Sequence, residues 1–148
     1  HRDLHLSIRR QRQMCIRDRL INSVSCVNAA AQFAGIAALD GPDDSINEMM
    51  IKFTERRKLI HEGLNSLPGV ECSLPGGAFY AFPDIRGTGL TSKEFASALL
   101  EKQNVAAVPG DAFGSSGEGF LRCCYAADVK LIKSALDGFR NFLVDIKG

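Results

Sequence analysis

No run of about 18 apolar residues occurs in the chain of 148 residues, which excludes a membrane-spanning helix. The arginine-rich start has no apolar core of the secretory kind, so the expected compartment is the cytoplasm. Pairing signals are equally scarce. The five cysteines, Cys15, Cys26, Cys72, Cys123 and Cys124, are an odd number with no CxxC beside a histidine pair, and His1, His5 and His61 are scattered. A disulfide framework and a zinc site therefore have no support, and the cysteines read as small hydrophobes in a reducing compartment. There is no internal repeat, no Ser/His/Asp or Cys/His set at an arguable spacing, and no obvious general base, so no catalytic residue is assigned. What is present is 45% hydrophobic and 24% charged, the composition of an ordinary globular domain and not of a disordered chain.

The net charge of +1 hides an asymmetry. Residues 1–19 hold six Lys or Arg against two Asp or Glu, and the remainder twelve against fifteen. Such a basic segment suggests a nucleic-acid arm. Its centre, "RRQRQMCIRDR" from Arg9 to Arg19, has no lysine, and it resembles one translated frame of a transposase adapter used in sequencing libraries. On that resemblance residues 1–8 share the same origin, the native protein starts near Leu20, and residues 1–19 are an artefactual, disordered segment.

Beyond it, "SCVNAAAQFAGIAAL" (25–39) predicts a buried helix ending at Asp40-Gly41-Pro42. A second helix is expected from Pro42 or Asp43, with Asp43, Asp44 or Ser45 as cap. Ile46, Met49, Phe53, Ile60, Leu64 and Leu67 form its stripe, and Pro68-Gly69 stops it after about 24 residues. That length suits either a helix bridging two layers or a plain surface helix. "VECSL" (70–74) and "AFYAFPDI" (78–85) predict strands, the second apolar on both faces and so internal to a sheet. Thr91-Ser92-Lys93-Glu94 is a capping box opening a helix through Gln103, with Phe95, Leu99 and Leu100 inward. "VAAVP" (105–109) and "FLRCCYA" (120–126) are further strands, separated by "GDAFGSSGEG" (110–119), too glycine-rich for regular structure. Asp128 caps a last helix with Val129, Ile132, Leu136, Phe139, Leu143 and Ile146 on one face. The fold class is α/β, helices packed on a small sheet.

Arg122 asks for an explanation. A guanidinium in mid-strand among Phe120, Leu121, Cys123 and Cys124 is partly desolvated and needs an anion. Either an internal carboxylate pairs with it, or it reaches water from a strand end, or its planar fork grips a ligand carboxylate. Gly87-Thr88-Gly89 reads as a turn in preference to a phosphate loop, since a third glycine and a Walker lysine are missing.

Together "LPGVECSLPGGAFYAFPDI", "VAAVPGDAFGSSGEGFLRCCYA" and the ERR of the long helix resemble the C-terminal part of class I/II aminotransferases. These are fold-type-I pyridoxal-phosphate enzymes of the aspartate aminotransferase kind, and the resemblance runs from about Asn22 to Lys147. It implies that residues 20–41 are the end of the large cofactor-binding domain, 42–67 the bridging helix and 68–148 the small domain. It implies that Arg122 grips the α-carboxylate of the amino-acid substrate. Asn22, Ser23 and Ser25 would approach the phosphate of pyridoxal 5'-phosphate in the partner subunit. The family's Schiff-base lysine motif does not precede Asn22, so the chain is expected to be an inactive fragment of a homodimeric enzyme acting on amino acids and 2-oxo acids, without nucleic-acid or membrane partners. The alternatives are a standalone α/β module binding carboxylates through Arg122, and a nucleic-acid binder using residues 9–19, whose binding would be strongly salt-dependent.

Overall fold

Asp128 and Thr91 are each followed by an amphipathic run, and each starts a helix as a cap should. In the structure, a computed structural model that describes residues 27–146 with Cys15, Ile16, Asp18 and Arg19, Thr91 and Glu94 complete the capping box. Asp128 accepts the amide of Lys130 at 2.8 Å, satisfying a donor the helix leaves free. The expected disorder of residues 1–19 lies outside the described residues except at those first four, which are helical and exposed.

The chain divides into two compact units, one ending at Asp43 and the other beginning at Asp44. In the first, α1 (Ala29–Asp40) starts at Asn28, whose side chain accepts the amide of Ala31 at 2.8 Å. The expected burial of this helix is not met, since every residue in it is exposed. Alanine and other apolar residues run round all its faces, so burial would need partners on every side, and its own unit supplies none among the described residues.

In the second unit the order is α2 (Asp44–Asn65), β1 (Tyr80–Ala81), α3 (Ser92–Gln103), β2 (Val108–Pro109), β3 (Leu121–Cys124) and α4 (Val129–Asp145). Only the C-terminal half of the α2 stripe is buried, at Ile60 and Leu64 with Leu67 just beyond, whereas Ile46 and Met49 are half-exposed. The core lies between α2, α3, α4 and one face of the sheet. Phe95 of α3 meets Phe142 edge-on at 4.9 Å and Phe139 at 5.8 Å. Each such buried ring contributes about 1.5–3 kcal/mol through apolar burial. Leu100 points out, contrary to expectation. Successive helical residues are about 100° apart, and Phe95, Ala96 and Leu99 already occupy the core side.

The sheet is antiparallel with β3 central, in the order β1-β3-β2. The segment "AFYAFPDI" was expected to be internal, but β1 is an edge strand; that segment has neighbours on both sides only at Asp84, which bridges Glu71 and Phe120. The strand expected over "VECSL" reduces to Glu71, because the side chain of Asn65 takes the place of a partner strand. It donates to the Cys72 carbonyl at 2.8 Å and accepts the Cys72 amide at 2.9 Å. The glycine-rich loop is more regular than expected, with 3-10 turns at Gly110–Phe113 and Ser115–Gly117. The backbones of Gly110 and Gly117 touch there, leaving no room for a Cβ on either.

One buried residue ties this loop to α3. Ser92, fully buried, accepts the amide of Gly119 on Oγ at 2.8 Å, and its own amide donates to Glu118 Oε1 at 2.9 Å. Ser92→Ala is expected to destabilise the protein by about 1–3 kcal/mol in urea unfolding, because the buried Gly119 amide loses its acceptor. An unchanged midpoint would show that the staple is dispensable. Burial, with Cys72 and Cys124 nearby, pushes the Cys123 thiol from 9.0 up to about 12, and burial also raises Cys72 and Tyr125. Above the unfolded value the unfolded chain releases protons that the folded chain keeps, so stability should fall as pH rises from about 9 towards 12. Urea unfolding at pH 8 and pH 10 should show that fall, and Cys123→Ala should lessen it.

Candidate functional site

Period-two alternation along β3 sends Leu121 and Cys123 into the core and turns Arg122 and Cys124 to the opposite face. Arg122 pairs with Val108 on β2, while Tyr80 of β1 stands opposite Cys124, diagonal to Arg122 on the same face. The guanidinium carbon lies 4.5 Å from the centroid of the Tyr80 ring and 4.5 Å from that of Phe113. Tyr80 comes from one neighbour of β3, and Phe113 from the loop that follows the other.

Among the described residues Arg122 forms no ion pair and no side-chain hydrogen bond, so the internal carboxylate that the sequence left open is not there. Three other arginines are engaged, while Arg56, also half-buried, has neither an ion pair nor a side-chain hydrogen bond among the described residues and lies 5.6 Å from the Phe53 ring. Arg86 is forked onto Asp84, Arg140 reaches Asp137 at 2.6 Å, and Arg57 donates to the Pro75 carbonyl at 3.1 Å. Arg122 is half-buried, with no protein acceptor for its side-chain N–H donors among the described residues. Ring faces offset part of the cost of its burial, each cation–π contact contributing about 0.5–2 kcal/mol. They leave the in-plane donors open, and those match a carboxylate bidentately.

The surroundings hold this arrangement in place. Phe113 meets Phe82 edge-on at 6.5 Å, and Phe82 stacks on Phe120 at 5.4 Å. The Gly110 amide donates to the Phe120 carbonyl at 2.8 Å, closing the loop that carries Phe113. Asp111 reaches Lys93 on α3 at 3.3 Å, while its Oδ1 is buried without a partner among the described residues. On the other side the Tyr125 hydroxyl donates to the Ala78 carbonyl at 2.9 Å, fixing a left-handed Ala78 (φ 56°) at the turn into β1. A cleft of about 650 Å³ lined by Met49, Phe53, Arg57, Phe79 and Tyr125 is roomier but does not include Arg122.

Sequence reasoning found Arg122 and missed Tyr80 and Phe113. The signal for both was present in the "GAFY" and "DAFG" stretches, but their convergence on Arg122 depends on strand order. Gly87-Thr88-Gly89 is the turn that was preferred, a 3-10 turn at Arg86–Thr88 closed by a left-handed Gly89. Asn22, Ser23 and Ser25 lie outside the described residues. Among the described residues no three His, Cys, Asp or Glu gather as for a metal ion, and no helix is long and apolar enough to cross a membrane.

Comparison with known proteins bears on the same residues. A model of the family aminotransferase class I and II matches residues 12–139, overlapping the end of the segment that resembles adapter. The chain is 41% identical over 119 residues to an aspartate aminotransferase of Pyrococcus horikoshii, covering 79% of this chain and 30% of that protein. Its fold superposes on an alanine aminotransferase from Pyrococcus furiosus with a TM-score of 0.81 at 39% identity, over 86% of this chain and 33% of that one. An aromatic aminotransferase from Pyrococcus horikoshii gives 0.82 at 37% identity, over 86% and 34%. The chain thus spans about a third of the length of these relatives. A family model that takes in the Arg122 strand, the aromatic residues around it and the helices that hold them shows that this chain belongs to the class I and II aminotransferases.

Proposed function

We propose that this chain is the part of an amino-acid aminotransferase that binds the substrate's α-carboxylate, with Arg122 as the gripping residue. The observation that carries this reading is a half-buried guanidinium with no anionic partner among the described residues, set between two aromatic rings. Burying a charge without a partner is costly, so such a group is kept for an anion that arrives. A carboxylate accepts two parallel N–H bonds from the fork, which binds the substrate and sets its orientation together.

In the same reading residues 20–41 belong to a large cofactor-binding domain, 42–67 to a helix bridging towards it, and 68–148 to the small domain. Burial of Ile60 and Leu64 in the small-domain core, with Met49, Met50 and Ile51 exposed nearer the start of α2, supports a helix of two halves. The family's chemistry calls for pyridoxal phosphate, which supplies an electron sink for the amino-group transfer. The described residues do not fit that group. Every described lysine is exposed, whereas an amine that bonds the cofactor's aldehyde has to be enclosed with it. Asn22, Ser23 and Ser25 are proposed to approach the phosphate of a partner subunit in a cytoplasmic homodimer, and the chain alone is proposed to be inactive.

Arg122→Lys in the full-length enzyme is expected to raise KM for the amino acid and lower kcat/KM by about 10- to 100-fold. An ammonium replaces the charge but not the second N–H bond, and charged hydrogen bonds contribute roughly 1.5–3 kcal/mol. Steady-state kinetics on both proteins makes the comparison. Unchanged constants would remove Arg122 from carboxylate binding.

A further inference from the structure

Two aromatic side chains beside Arg122 are not explained by the core. Phe113 is 53% exposed, so burial does not account for a phenyl ring in a loop rich in glycine and serine. Tyr80 is half-buried, and among the described residues its hydroxyl makes no hydrogen bond, so its ring is what it contributes here. Both rings lie 4.5 Å from one guanidinium carbon. Behind Phe113 stands Phe82, itself stacked on Phe120.

We propose that Tyr80 and Phe113 are positioning residues, which hold the Arg122 guanidinium in one orientation so that its in-plane N–H donors meet an incoming carboxylate already aligned. The proposal rests on the carboxylate-binding reading of Arg122 and extends it to residues that need not touch the substrate. An arginine side chain has many rotamers, and gripping a ligand with a free one loses that freedom at the moment of binding. Aromatic faces take up the flat surface of the guanidinium and leave its edge available. The clamp is anchored on both sides. Tyr80 is fixed by its pairing with Cys124 and the Tyr125 bond to Ala78, and Phe113 by the closed turn at Gly110–Phe113.

The test uses the full-length enzyme and the Nε–Hε resonance of Arg122 in a nitrogen–proton correlation spectrum, assigned by its loss in Arg122→Lys. In the wild type this resonance should be shielded by the rings and should shift on titration with 2-oxoglutarate. Phe113→Leu and Tyr80→Leu should each move it towards the unshielded arginines and weaken 2-oxoglutarate binding about fivefold, within the range of one cation–π contact. Tyr80→Phe and Phe113→Tyr keep the rings and should preserve both the shift and the affinity. Methyl resonances of Ile132 and Leu136 report whether each variant is folded, and the ring-preserving pair decides the question if a leucine variant is not. Leucine variants that bind as tightly as wild type, or ring-preserving variants that bind as weakly as leucine variants should, would overturn the positioning role alone. A wild-type resonance indifferent to 2-oxoglutarate would overturn the carboxylate reading of Arg122, and the positioning role with it.

Discussion

Leu121 and Cys123 are buried on one side of β3 while Arg122 between them faces the other way, and the rest of the second unit depends on that alternation. A slip of one residue would put the guanidinium into the apolar core and two apolar side chains on the open face. Register is therefore strongly specified: the burial that stabilises the second unit also presents the Arg122 guanidinium, which is unpaired among the described residues. Stability and site are consequences of the same four residues.

Around β3 the fold uses side chains where longer strands would serve elsewhere. Asn65 pairs with the backbone of Cys72 as a neighbouring strand would. Ser92 and Glu118 join the start of α3 to the glycine-rich loop, and the Tyr125 hydroxyl holds the turn into β1. Strands of two to four residues have little ladder of their own, so these polar bonds satisfy backbone groups that would otherwise be buried unpaired. The loop can then approach β3 closely because Gly110 and Gly117 have no side chains to separate them.

The row of rings on the open face gives the site its chemical character. Tyr80, Phe113, Phe82 and Phe120 make a largely apolar surround for a cation, and at the far end Arg86 lies 5.3 Å from the Phe120 ring while forked onto Asp84. Two arginines thus share one aromatic face in opposite conditions. Arg86 is neutralised by a carboxylate of its own chain, which holds the Asp84 carboxyl below its ordinary range chiefly through the side-chain hydrogen bond. Arg122 has no such partner among the described residues, and this contrast within one surface makes it the candidate for binding an anion.

Much of this was legible in the residues alone. Thr91 to Glu94 and Asp128 mark helix starts, because caps are local chemistry and need only neighbours in sequence, whereas the long helix ends at Asn65, ahead of the expected Pro68-Gly69 stop. Arg122 stood out because a charge among apolar residues is anomalous in any strand. The resemblance to aminotransferases rested on ordered motifs, and the family match bears it out. Tertiary structure decided what depends on residues distant in the chain. Strand order made β3 central and β1 an edge, Asn65 displaced the expected first strand, and the outward side of α3 took Leu100. The convergence of Tyr80 and Phe113 on Arg122 belongs here too, since those residues are 42 and 9 positions away from it in sequence. Local pattern specifies which residues want to be buried or capped; which of them meet is set only when the sheet closes and the core chooses one face of each element.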